Sequence, residues 1–163
     1  MIEVHKLAGF ISAHGIWCVS DGSTLTPMFA INNENGERVM NRLVTERLEE
    51  AVELGRARLD KNSDDANDAV LIFDGRIPIG EKKFDALIIE MRSYFSPGSK
   101  STMAIPYTPA TESEEFKVHK PKYLQWENCD DFDLNTCVNA FFEGVDSHEE
   151  AAKVWNNHLD QTV

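Results

Sequence analysis

No run of this sequence is apolar for more than a handful of residues, far short of the roughly 20 needed to cross a bilayer. Met1-Ile2-Glu3 brings neither a basic n-region nor an apolar h-region, so neither a secretory signal nor a membrane anchor is expected. Cysteine is scarce and unpatterned. Cys18, Cys129 and Cys137 are odd in number, distant from one another and without a CxxC pair. That excludes a disulfide framework and points to free thiols, each a small buried hydrophobe, in a reducing cytoplasm of bacterial type. There is no HExxH or comparable zinc spacing, no glycine-rich phosphate loop and no Gly-x-Ser-x-Gly elbow. No cofactor is expected.

Basic residues are also short in supply. The chain carries 16 Lys and Arg against 28 Asp and Glu, a net charge of −12. Residues 127–163 hold nine of the acids and a single Lys, which places −8 in that segment. Such a surface repels phosphate backbones and anionic membranes, so no nucleic-acid or membrane partner is expected. A basic protein partner for the 127–163 region fits this asymmetry, and so does a solvated face that aids solubility.

What remains is an ordinary globular chain of 163 residues, 42% hydrophobic, which fits one domain over 1–163 without staples. Ile11 to Val19 mixes β-branched and aromatic residues before the turn Ser20-Asp21-Gly22-Ser23. With Leu25 to Ile31, whose Pro27 suits an edge, it reads as a hairpin. From Glu37, Met40, Leu43, Val44, Leu48, Ala51, Val52, Gly55 and Leu59 recur at helical steps and predict one long amphipathic helix. Strands follow at Ala69–Phe73 and Arg76–Ile79, around an Asp74-Gly75 hairpin signal. Further strands are expected at Phe84–Tyr94, at Thr102–Tyr107 and at Phe116–Trp126, the last bent or edge-placed by Pro121. Leu134, Val138, Phe141, Phe142 and Val145 predict a helix. Ser147 and Glu150 fit a capping box for another, buried through Ala151, Ala152, Trp155 and Leu159. The fold class is α+β: a mostly antiparallel sheet of about five to six strands covered by one long helix, with two short C-terminal helices.

Few constellations suggest chemistry. Asp60, Asn62, Asp64 and Asp68 occupy positions 1, 3, 5 and 9 of an EF-hand-like loop and are the only metal candidates. Position 6 is Asp65 instead of Gly and position 12 is Leu71 instead of Glu, so the loop reads as a hydrophilic connection. His14 and Cys18, on one strand, would lie roughly 13 Å apart, too far for a dyad. Asp85 and Glu90 are possible acid–base carboxylates, whereas Asp130, Asp131 and Asp133 precede a helix and suit capping. A polar site on the sheet would draw on Glu90, Arg92, Tyr94, His119 and Tyr123.

The leading expectation is a non-catalytic interaction or regulatory protein that docks a protein partner through its sheet edge or its acidic C-terminal region, as toxin-immunity proteins do. An enzyme acting on a small molecule through the sheet-face residues is the first alternative. A subunit of a homo-oligomer is the second.

Overall fold

The computed structural model describes the whole chain, Met1–Val163, as an α+β fold. Four helices, α1 (Ile2–Val19), α2 (Leu48–Lys61), α3 (Leu134–Ser147) and α4 (Glu149–Asn157), surround one sheet. Its strands are β1 (Met28–Asn32), β2 (Arg38–Arg42), β3 (Asp68–Ile79), β4 (Lys82–Ser93), β5 (Lys100–Thr108), β6 (Lys117–Val118) and β7 (Lys122–Glu127). They are ordered β2-β1-β3-β4-β5-β6, with β7 also on β5, and every ladder is antiparallel.

The long covering helix exists, but it is the N-terminal segment. Ile11–Val19 is helical because Val4, Leu7, Ala8, Ile11, Ile16 and Val19 are spaced for it. This helix packs on the sheet through Val70, Ile72, Leu87 and Ile89, and on its other side against Phe141, Val145, Ala152 and Trp155 of α3 and α4. Burial on two sides leaves it almost no polar stripe, so its β-branched content reads as strand.

The expected helix from Glu37 to Leu59 is two elements. Asn33 Oδ1 accepts from the backbone of Asn35 and Glu37, and Gly36 takes φ +78°. This turn folds β2 back on β1. Only from Leu48 does the chain become helical, and Ala51, Gly55 and Leu59 of α2 then cover the opposite sheet face over Phe29, Ala69 and Leu71.

Asp74-Gly75 is not a turn. β3 runs straight through it, with Asp74 opposite Leu87 and Gly75 opposite Ala86. The reversal comes at Gly80, φ +62°. Tertiary contacts override the local signal here: Tyr107 donates to both Asp74 carboxylate oxygens at 2.9 Å, and a Cβ on Gly75 would stand 3.1 Å from Ile88. Pro121 splits the last strand into β6 and β7, as its missing donor leads one to expect. Ser147 stays inside α3 and donates to Gly144 O at 2.6 Å, and it is His148 that caps α4 through Ala151 N. The Ser147–Glu150 capping box is therefore not formed.

The α1–α3 crossing is set by two glycines. A Cβ on Gly9 would fall 1.8 Å from Phe141 O, and one on Gly144 would fall 2.0 Å from Lys6 O. In an unconstrained helix, Gly→Ala stabilises by up to about 1 kcal/mol. Here Gly9→Ala and Gly144→Ala should each destabilise by about 2–3 kcal/mol, because backbone must move. Urea unfolding of both variants checks this, and a gain in stability would show that the helices do not cross so closely.

Candidate functional site

The five sheet residues singled out above divide into two groups. Glu90 and Arg92 of β4, and Tyr94 just beyond its end, lie under α2, and each is tied to that helix. Arg56 grips Glu90 with Nε and Nη2, at 3.0 and 2.7 Å from Oε2. Arg92 reaches Asp60 at 3.3 Å and its own neighbour Met91 O at 2.9 Å. The Tyr94 hydroxyl donates to Leu59 O at 2.5 Å, and burial pushes its pKa up to about 12. These groups clamp α2 to the sheet.

His119 and Tyr123 lie elsewhere. His119 Nδ1 donates to Asp160 O at 3.1 Å, while Nε2 meets the Thr108 hydroxyl at 2.8 Å, so the ring pins the C-terminal tail to β5. Tyr123 meets His5 Nε2 at 2.9 Å, and His5 Nδ1 meets Met1 O at 2.8 Å. Burial first, and the N-terminal ammonium after it, lower the His5 pKa to about 4. The ring is neutral, with Nδ1 donating to the carbonyl and Nε2 accepting from tyrosine. The five residues thus form three separate structural ties.

The acidic loop is likewise divided among different partners. Asp60 faces Arg92, and Asp64 takes both Nε and Nη2 of Arg58 at 2.8 Å. Asn62 ends α2 in the left-handed region, φ 48°, and its amide bonds Ala66 N and O. Asp68 is buried in β3 beside Asn32, its carboxyl held up by burial. These side chains do not share a coordination sphere, and nowhere do three His, Cys, Asp or Glu groups gather as metal ligands. Asp85 pairs with Arg76, and Asp133 caps α3 through Thr136 N at 3.1 Å.

The constellation that sequence reading missed lies where α1, α4 and the edge strand β2 meet. With α1 helical, His14 and Cys18 share one helix face, yet His14 turns to His148, Nδ1 to Nε2 at 3.1 Å. His148 stacks on His14 and on Phe10, with ring centroids 5.3 and 4.8 Å apart, and the exposed Trp17 lies edge-on to both histidines. The Arg38 guanidinium sits 3.4 Å over the Phe10 ring. Arg42 stands close enough to His14 that, after burial and His148, it helps lower the imidazole pKa. Burial raises the Cys18 thiol despite Arg42, so it is a poor nucleophile.

Five of the seven arginines, Arg47, Arg56, Arg58, Arg76 and Arg92, pair with carboxylates. Arg38 and Arg42 are the two that do not. In a chain with 28 acids these two guanidinium groups are left without an ion pair, although Glu3 and Glu143 line the same cavity as Arg38. The constellation is invisible in sequence, because residues 10–17, 38–42 and 148 meet only in the fold.

Because His5 binds its proton more weakly folded than unfolded, the unfolded chain takes up more protons below pH 6.5. Its contribution, about 3 kcal/mol, is complete above pH 6.5 and is lost as pH falls towards 4. His5→Gln should flatten the fall of unfolding free energy between pH 7 and 4, measured by denaturant titration across that range. An unchanged slope would contradict a buried neutral ring.

No protein family, curated protein or solved structure matches this chain.

Proposed function

We propose that this is a non-catalytic interaction or regulatory protein that binds a protein partner through the free edge of its sheet at β2. The carrying observation is the pair of unpartnered arginines on that exposed strand, beside a row of aromatic rings that ends at exposed Trp17. Enriched arginine and tryptophan at one patch is the composition of a docking surface. The enzymatic alternative needed Glu90, His119 or Tyr123 to converge in a cleft, and these side chains are instead spent on separate structural ties. A cytoplasm of bacterial type suits the three free thiols, and no helix is long and apolar enough to cross a membrane.

A second reading keeps the acidic segment 127–163 as the docking surface for a basic partner, in the manner of immunity proteins that neutralise a toxin. What favours it is that Asp130, Asp131, Asp146 and Glu149 are exposed and have no basic partner, whereas Glu143 and Glu150 are paired with Lys6 and Lys153.

One reading depends on two arginines and the other on four carboxylates, so one experiment separates them. The tagged protein, expressed in its native cell, should retain a partner at about 0.05 M salt and release it at about 0.5 M, where the Debye length is about 4 Å. Arg38→Glu with Arg42→Glu should abolish retention, while Asp130→Asn, Asp131→Asn, Asp146→Asn and Glu149→Gln together should leave it intact. The reverse pattern would move the function to the acidic face. No retention at low salt with the unaltered protein would sink both readings.

A further inference from the structure

The edge at β2 is open in a specific way. Asn33 N donates to Glu37 O and Leu43 N to Pro27 O, bracketing the β1–β2 ladder. Antiparallel bonding alternates, so Val39 and Asn41 exchange their bonds with β1, while Arg38, Met40 and Arg42 turn their N–H and C=O groups outward. The same three residues share one side-chain parity. Arg38 lies on Phe10, Met40 packs on the main core and Arg42 approaches His14. Main-chain donors and the charge that reads a partner are therefore carried by the same residues.

Devices that interrupt pairing stand at other edges but not along β2, although the outer side of β7 also has no neighbouring strand. The distal half of β3, beyond the end of β1, carries Pro78. The far side of the sheet is broken at Pro121, and β6 is bonded there by the C-terminal tail through His158 O and Asp160 N. β2 has no proline, bulge or covering segment across its five residues.

We infer that β2 accepts an extended acidic segment of a partner protein as an eighth strand, with carboxylates opposite Arg38 and Arg42 and an apolar residue opposite Met40. This rests on the edge reading above and names its occupant. Charge complementarity selects it: opposite charges directly across an antiparallel pair attract, and like charges repel. A second copy of the chain is disfavoured by the same rule. Two β2 strands paired over all five residues about Met40 would set Arg38 against Arg42 twice. The partner pattern is acid, any residue, apolar, any residue, acid, because alternate residues of a strand share a face. Backbone bonds supply affinity and the two arginines supply selection, as in other cases of strand addition.

The probe is the capped heptapeptide Thr-Asp-Thr-Val-Thr-Asp-Thr, titrated to millimolar concentration into ¹⁵N-labelled full-length protein. The amides of Arg38, Met40 and Arg42 should shift together, saturably, and gain protection from hydrogen exchange. Arg38→Gln and Arg42→Gln should each weaken binding roughly threefold, and the double variant about tenfold. These exposed substitutions should leave the rest of the spectrum unchanged, which confirms folding. A peptide N-methylated at alternate amides keeps its charge but loses its donors and should not bind. A peptide with lysine in place of aspartate should not bind either. The inference falls if the N-methylated peptide binds equally, if the lysine peptide binds, or if these three amides do not respond to the parent peptide. It also falls if they are protected without peptide while light scattering shows a doubled mass, which would assign the edge to a second copy. If the peptide fails but partner retention still depends on Arg38 and Arg42, docking at the edge stands and strand addition alone is lost.

Discussion

The rest of the molecule depends on α1 being buried from two directions. Its inner side completes the sheet core with Val70, Ile72, Leu87, Ile89 and Met103, and its outer side receives α3 and α4. Side chains alone do not set the outer contact. At Gly9 and Gly144 the two backbones approach so closely that a single methyl group would collide with a carbonyl oxygen. That approach fixes the direction of α3, which in turn carries α4 and brings His148 to His14. The aromatic row beside β2 is thus a product of helix packing in a region remote from it in sequence.

The opposite face works by a different chemistry. α2 is short, with only Ala51, Gly55 and Leu59 buried, and the small cluster around Phe29 and Leu71 is a thin apolar contact. Polar ties supplement it. Arg56–Glu90, Arg92–Asp60 and Tyr94–Leu59 O connect α2 to β4, and Arg58 both pairs with Asp64 and lies over Phe29. The residues that look most chemical in the sequence are therefore those that hold a helix with too little apolar surface. Pairing consumes their charge, and the arginines left over are those on β2.

Legibility followed how local the determinants are. β4 and β5 were readable because period-two alternation such as Leu87, Ile89 and Met91 reports a strand with two unlike faces. α3 and α4 were readable because each has one buried stripe and an exposed polar side. α1 was not, since a helix covered on both sides loses its polar stripe. β2 was hidden because Met40, Leu43 and Val44 continue the step pattern of α2 by coincidence, while the turn at Asn33–Gly36 decides the matter. Of the candidate site residues, the parity of Glu90, Arg92 and Tyr94 was legible, but their partners on α2 were not.

By itself the sequence determined the class: enough apolar residues for a core, alternation for an antiparallel sheet, helical spacing at the C-terminus, and a net charge of −12. Each of these is a property of composition or of neighbours a few residues apart. Only tertiary structure decided which charges remain unpaired, that β2 lies at an edge, and which rings stand beside it. Those outcomes depend on contacts between residues 10–17, 38–42 and 148, and no local pattern encodes a meeting that helix packing and strand order bring about.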